Sequence, residues 1–180
     1  MLINCNLIYK KISIAYGLDN KYTYPTLISI LSILENSSKY TFYTFYLLVE
    51  KNKFKEQNKE KFIGLEKKYD RCKVIIFELS NDNLSNARTT KRYPITTYYR
   101  LLLAKLIPKV NKIIYLDGDT LVFTDLTEMI NLEMNNNIIL GFVDDSYKKA
   151  EKFRIKTYKY ITCGVLLINL KKTKHLIRKF

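Results

Sequence analysis

The sequence predicts an α/β fold built on a largely parallel sheet flanked by helices. Three observations carry that expectation. Short apolar strands alternate with helical periodicities along the chain, acidic residues stand just beyond three of those strands, and neither an internal repeat nor a Pro/Gly/Ser-rich linker divides the 180 residues. The chain reads as one domain over residues 1–180, and its 47% hydrophobic content, with 15 Tyr and 9 Phe, is enough for a core. Only 5 Gly and 3 Pro stand against these aromatic and β-branched side chains, which excludes a disordered or low-complexity chain.

The first strand is Ile12 to Tyr16, broken by polar Asp19, Asn20 and Lys21. Thr23 and Pro25 open a helix, because Pro in the first turn loses an N–H that had no intrahelical partner. Leu27, Ile30, Leu31 and Leu34 follow at helical spacing and give that helix an apolar face. A second strand spans Thr41 to Val49. Phe54, Phe62, Leu65 and Tyr69 then form a broken helical stripe, and the nine Lys or Arg between Lys51 and Lys73 are mostly its wet face. Val74 to Phe77 is the third strand. A polar connection from Ser80 to Thr97 leads into a helix with Tyr99, Leu102, Leu103 and Leu106 on one side, which Pro108 stops. Lys112 to Leu116 is the fourth strand, ending in Asp117-Gly118-Asp119. Asp125-x-x-Glu128 predicts a capping box, a structural rather than catalytic use of Asp125. Ile138 to Val143 is a further strand closed by Asp144 and Asp145, Val165 to Leu170 is the last, and Lys171 to Phe180 begins a helix.

The net charge of +14 comes from 31 Lys and Arg against 17 Asp and Glu. Lys, Asn, Ile and Tyr are all abundant and all have AT-rich codons, so genome composition explains much of the excess. From Lys148 onward there are eleven basic residues and one acid, Glu151, so this stretch alone carries +10. Its readings are a solvated basic face, an acidic acceptor, or peripheral contact with an anionic membrane surface. No zinc-finger, RNA-recognition or helix-turn-helix signature accompanies the charge, so nucleic acid is not the expected partner. Cys5, Cys72 and Cys163 are odd in number and widely spaced, which indicates neither a zinc site nor a disulfide framework. No run approaches the roughly 18 to 20 apolar residues of a spanning helix, and Lys10 and Lys11 close the first apolar stretch before it can serve as a signal-peptide core. The expected location is the cytoplasm, with peripheral contact at the inner face of the membrane as the extension of that reading.

Ligands of open parallel sheets bind beyond the carboxyl ends of the strands, so the acids there are the first candidates for function. In extended backbone Asp117 and Asp119 would point to one side, about 6.6 Å apart. Two ionised carboxylates at that range repel by roughly 2.5 kcal/mol at an effective dielectric near 20. A cation between them removes that cost, and such hard oxygen ligands suit Mn²⁺ or Mg²⁺ with a substrate phosphate completing the shell. The bland alternative is a solvated Asp-Gly turn. A haloacid-dehalogenase-type phosphatase also places two aspartates at a strand end, one as nucleophile and one as acid. That pattern wants Thr or Val where this chain has Leu121, and it usually lies near a chain start, whereas more than a hundred residues precede it here.

Four motifs in order favour another class. Ala15-x-x-x-Asp19-x-x-Tyr22 with Ser32 ten residues on, Ile95-Thr96-Thr97-Tyr98-Tyr99-Arg100-Leu101, Ile114-Tyr115-Leu116-Asp117-Gly118-Asp119-Thr120 and Gly164-Val165-Leu166-Leu167-Ile168-Asn169-Leu170 resemble glycosyltransferase family eight. That family includes bacterial lipo-oligosaccharide galactosyl- and glucosyltransferases and glycogenin. The resemblance runs from about Ile12 to Lys172.

It implies a GT-A type nucleotide-diphospho-sugar transferase fold and transfer of a hexosyl group, glucose or galactose, from a UDP-sugar with Mn²⁺ (or Mg²⁺) and retention. By the resemblance, Asp117 and Asp119 hold the metal, Asp117 also meets the ribose, and Gly118 lies between them. Ala15, Asp19 and Tyr22 receive uracil and ribose, with the Tyr22 ring stacking on the base. Arg100 approaches the donor diphosphate and sugar, where its fork suits oxyanions. Asp144 matches the acid that contacts the transferred sugar, and adjacent Asp145 is the alternative. The implied acceptor is a saccharide, lipo-oligosaccharide or glycoprotein. Each role has a structural rival: Asp19 in an Asx turn, Tyr22 in the core, Arg100 paired with a nearby acid.

Two departures from the family pattern stand out. Thr162-Cys163-Gly164 replaces the usual Asn-Ala-Gly, which bears on sugar selectivity. The chain also ends before the Gln/Asp-rich segment and the late His-x-x-Gly-x-x-Lys motif, and His175, on a basic helical stretch without that Gly and Lys, is not its equivalent. The resemblance therefore implies a domain incomplete at its C-terminus, with turnover reduced at least about a thousandfold, or a non-catalytic, anion-binding remnant of a transferase.

Overall fold

The computed structural model describes residues 10–84, 87, 89–90, 94–135, 137–143 and 161–177. Its strands are β1 (Lys10–Gly17), β2 (Thr41–Glu50), β3 (Cys72–Leu79), β4 (Lys112–Leu116), β5 (Ile139–Val143) and β6 (Ile161–Asn169). Its α-helices are α1 (Thr23–Glu35), α2 (Glu56–Ile63), α3 (Leu65–Lys68), α4 (Leu103–Leu106), α5 (Thr127–Asn131) and α6 (Leu170–Ile177). Among the described residues no helix is long and apolar enough to cross a membrane.

The six strands form one sheet in the order β3-β2-β1-β4-β6-β5. β1 pairs in parallel with both β2 and β4, and β2 with β3. β6 runs antiparallel to β4 and to β5, so the expected parallel sheet carries one reversed strand between two parallel ones. Strand order turns around at β1, with β2 and β3 on one side and β4 on the other. That switch point leaves a crevice beyond the carboxyl ends of β1 and β4.

Both faces of the sheet are covered, which is why β1, β2 and β4 read as nearly continuous apolar runs. On one face Ile12, Ile14, Tyr16, Phe45, Leu47 and Ile114 pack with Ile30, Ile33 and Leu34 of α1 and Phe62 of α2. On the other Ala15, Leu48, Tyr115, Leu166 and Ile168 pack with Tyr99 and Leu103. At up to about 3 kcal/mol for each fully buried large side chain, these two layers hold the sheet against its conformational entropy.

Three local expectations are corrected. The residues before α4 form a 3-10 helix, Ile95–Leu102, so Tyr99 and Leu103 reach the core while Leu102 and Leu106 only flank it. Asp125 builds no capping box: α5 begins at Thr127, and Asp125 Oδ1 accepts from Thr127 N at 2.7 Å while Oδ2 accepts from Ser38 N at 2.7 Å and Thr41 Oγ1 at 3.2 Å. It ties the turn after α1 to the approach to α5, which is a structural role by a different geometry. On α1, Ile33 is buried in place of Leu27 and Leu31, and the same helix buries Thr23, Thr26 and Ser29.

Candidate functional site

A cleft of about 360 Å³ opens at the switch point. Its walls come from four stretches: Gly17 at the end of β1 with Leu18, Asp19, Lys21 and Tyr22 after it, Pro94 with Thr96, Thr97 and Arg100 of the 3-10 helix, Tyr115 and Asp117 to Asp119 at the end of β4, and Cys163 of β6. Gly17 is required at the rim, because a Cβ there would stand 2.5 Å from the Thr96 carbonyl oxygen and 3.1 Å from the Tyr115 hydroxyl. The segment carrying Thr96 and Arg100 thereby lies directly on the end of β1.

Asp117 and Asp119 both line this cleft, but not in extended backbone. Thr120 N donates to Asp117 O at 3.2 Å, closing a turn over Asp117–Thr120. The turn is anchored on one side by Asp117 N donating to Gly164 O at 2.8 Å. On the other side, Thr120 Oγ1 donates to Asp117 O at 2.9 Å and shares a 3.2 Å contact with Ser29 Oγ, which meets Tyr16 Oη at 2.9 Å. A carbonyl only accepts, so the hydroxyl protons run in one direction, from buried Tyr16 through Ser29 and Thr120 to the Asp117 carbonyl. The turn of the bland alternative is what forms, with Asp119 exposed, but its backbone is hydrogen-bonded to β6 and, through Thr120, it is tied to α1.

Burial pushes the Asp117 carboxyl above the usual carboxylate range; Arg100 opposes the rise and the charge of Asp119 adds to it. Arg100 Nη2 lies 3.5 Å from Asp117 Oδ1, its Nε donates to Thr97 O at 2.7 Å, and its Nη1 donates to Cys163 O at 2.5 Å. The guanidinium carbon sits 4.1 Å from the centre of the Tyr115 ring. Burial raises the Tyr115 phenol to about 12, keeping it a neutral donor beside the carboxylate.

Asp19 caps the 3-10 turn Asn20–Tyr22, its Oδ1 accepting from Lys21 N at 2.8 Å and Tyr22 N at 3.2 Å. Asn20 ties that turn to the approach to α2 through Lys53 O at 2.8 Å and Lys55 N at 3.0 Å. Tyr22 is 43% exposed and faces the cleft. Ala15, by contrast, is wholly buried among the core residues under the site and does not line it. Asp144 and Asp145 lie outside the described residues, as does most of the basic stretch after Lys148, and His175 falls within α6.

Two carboxylates on one half-buried turn, with burial and the neighbouring Asp119 charge favouring the protonated form of Asp117, form a donor set that a hard divalent cation fits. Asp117 and Asp119 offer two carboxylates, and among the described residues no group of three or more His, Cys, Asp or Glu is arranged to hold a metal. Sequence reasoning missed Gly17, Lys21 and Thr96 on the cleft wall. It also missed the polar residues of α1 behind the turn, whose spacing at Thr26, Ser29, Ser32 and Asn36 was the available signal.

The sheet with its single reversed strand and the acidic turn at the switch point define a GT-A glycosyltransferase fold. The chain belongs to glycosyl transferase family 8, whose family profile matches residues 13–176. A putative glycosyltransferase of Haemophilus influenzae is 33% identical over 170 residues, 90% of this chain and 49% of that protein. The lipopolysaccharide 1,3-galactosyltransferase of Salmonella typhimurium is 27% identical over 138 residues, covering 74% of this chain and 39% of its own length. Among solved structures, the galactosyltransferase LgtC in complex with donor and acceptor sugar analogues superposes with a TM-score of 0.73 at 24% identity, over 91% of this chain and 60% of that one. The bifunctional glycosyltransferase WbbM gives 0.74 at 18% identity, over 93% and 33% respectively. The chain thus spans about half or less of the length of the curated relatives it matches. Family membership sets the phosphatase alternative aside.

Proposed function

We propose that this chain forms the donor site of a retaining glycosyltransferase, binding a UDP-sugar together with Mn²⁺ for transfer of a glucosyl or galactosyl group to a lipopolysaccharide-type saccharide. The observation that carries the reading is the convergence of Asp19, Tyr22, Arg100, Asp117 and Asp119 on one cleft. Asp117 and Asp119 would hold the metal, which when bound supplies Lewis-acid neutralisation of charge developing on the UDP leaving group. Tyr22 offers an exposed ring for the base, and Asp19 fixes the turn that presents it. Arg100 is pre-positioned by Thr97, Cys163 and Tyr115, so its fork meets the diphosphate with little further loss of side-chain freedom. Asp144, with Asp145 as the alternative, is assigned to the transferred sugar.

Calorimetry with UDP tests the donor reading. Affinity should depend on Mn²⁺ and disappear in Asp119→Asn, whereas equal affinity in the presence of chelator overturns the metal bridge. UDP release from UDP-glucose and UDP-galactose with a saccharide acceptor then tests transfer and the identity of the sugar. A second reading, peripheral contact with an anionic membrane, rests on the +10 charge from Lys148 onward. Vesicle sedimentation that does not weaken from low to high salt would count against it.

A further inference from the structure

The helix α1 buries an apolar stripe, but its neighbouring stripe is polar and meets the segment that follows β4. Ser29 Oγ shares a hydrogen bond with Thr120 Oγ1 at 3.2 Å, Ser32 Oγ accepts from Val122 N at 3.0 Å, and Asn36 Nδ2 donates to Val122 O at 3.0 Å. Thr26 continues this stripe toward the cleft. It is wholly buried, and its hydroxyl finds no hydrogen-bond partner among the described residues. What it faces is Gly118: a Cβ at that position would stand 2.3 Å from Thr26 Oγ1 and 3.3 Å from Tyr22 Cδ1. Thr26 lies on a helix, where its χ1 is confined to two favoured rotamers, and its side chain is wholly buried.

We propose that the polar stripe of α1 is the positioning device for Asp117 and Asp119, and that the Thr26–Gly118 contact sets how closely their turn docks. Ser29 holds the turn at Thr120, Ser32 and Asn36 hold the chain just after it at Val122, and Thr26 fixes the depth of the turn. A side chain at 118 lifts the turn from α1, separating the two carboxylates from the geometry they share. The metal-binding part of this inference rests on the donor-site reading above, while the docking part does not.

The experiment compares Gly118→Ala, Thr26→Ala and the double variant in the full chain, with two readouts. Hydrogen exchange at the Thr120 amide, bonded to Asp117 O, reports docking whether or not a donor binds. Calorimetry with UDP and Mn²⁺ reports the carboxylates. Gly118→Ala should speed Thr120 exchange and weaken Mn²⁺-dependent UDP affinity by at least about tenfold. Thr26→Ala removes the 2.3 Å clash and leaves the built Cβ 3.5 Å from the Cβ of residue 26 and 3.3 Å from Tyr22 Cδ1, whose half-exposed ring can give way by a few tenths of an ångström. It should therefore be mildly harmful alone yet restore slow exchange and affinity when added to Gly118→Ala. Simple addition of the two losses, or a Gly118→Ala chain indistinguishable from the parent, overturns the proposal. If Gly118→Ala does not fold, Ser29→Ala serves instead, and unchanged Thr120 exchange in that variant overturns it. A parent chain that binds no UDP but shows the reciprocal exchange pattern defeats the donor reading and leaves the positioning role standing.

Discussion

Arg100 and Asp117 face each other at 3.5 Å across the cleft floor, with the guanidinium laid over the Tyr115 ring. The carboxylate nonetheless remains harder to ionise than a free one, because its burial outweighs this single partner. An acidic group held in that condition works against the fold at neutral pH.

Asp117→Asn should therefore stabilise the metal-free chain at neutral pH. A carboxyl whose folded pKa is raised favours folding most below its unfolded value, and that advantage is lost as pH rises through the folded value. The neutral amide escapes the loss. The gain should stay below about 1 kcal/mol, since 42% of the side chain is exposed and solvent screens it. Thermal unfolding without metal should show the variant ahead at pH 7 and level with the parent below about pH 4. With Mn²⁺ and UDP present the order should invert, because ligand stabilises only the chain that binds it.

Arg100→Lys should not behave as a conservative change. Its fork holds the Thr97 and Cys163 carbonyls while reaching Asp117, an arrangement an ammonium cannot reproduce. UDP affinity in Mn²⁺ should fall about tenfold or more, equivalent to about 1.4 kcal/mol. Parent-like affinity from calorimetry would remove Arg100 from the donor site.

Asp125→Ala should destabilise the chain by about 1 kcal/mol or somewhat more, since it unpairs the buried Thr41 hydroxyl together with the half-buried Thr127 and exposed Ser38 amides. Burial opposes the Asp125 charge, but hydrogen bonds from Thr127, Ser38 and Thr41 overcome it and hold the carboxyl below the usual range. A depressed folded pKa contributes stability above the unfolded value that is lost as pH falls through the folded one. The gap between parent and variant in denaturant midpoint should be full at pH 7 and shrink below about pH 4.

Gly17→Ala should cost about 1–3 kcal/mol, as overpacking does, because the Thr96 carbonyl 2.5 Å from the new Cβ is backbone and cannot swing aside. Chemical denaturation measures the loss, and UDP affinity should fall with it as Thr96 and Arg100 are pushed from the end of β1.

Much of this architecture was legible in the sequence because burial writes itself into periodicity. Lys112–Leu116 matches its expected bounds, and the acids after it stand in the cleft, because an apolar run stopped by Asp-Gly-Asp is an unambiguous strand end. Strand direction leaves no such trace, since alternation is the same read either way, and the reversal of β6 was not foreseen. Thr26 and Ser29 were passed over because hydropathy counts a polar residue as wet, while here their hydroxyls lie against another segment of chain. The capping box failed because α5 begins at Thr127, leaving Asp125 outside the cap, and its Oδ2 accepts instead from Ser38 and Thr41, 84 or more residues away, which no local pattern records.

The reversal of β6 has a consequence for the order of folding. A reversed strand brings its beginning, Cys163 and Gly164, to the carboxyl end of β4, where their carbonyls receive Arg100 Nη1 and Asp117 N. The sheet's centre already joins Ile14 to Ile114, a closure of 100 residues, and the edge of β6 that faces β4 can seat only once β4 is in place, while its other edge pairs with β5. Such distant pairings are slow, because loop entropy is lost before the contacts repay it. The cleft is thus assembled from the kinetically last parts of the chain. During synthesis β1, β2 and β3 can pair, with α1 packed on them, well before the residues that complete the cleft emerge, leaving the edge of β1 open to any competing strand until β4 arrives.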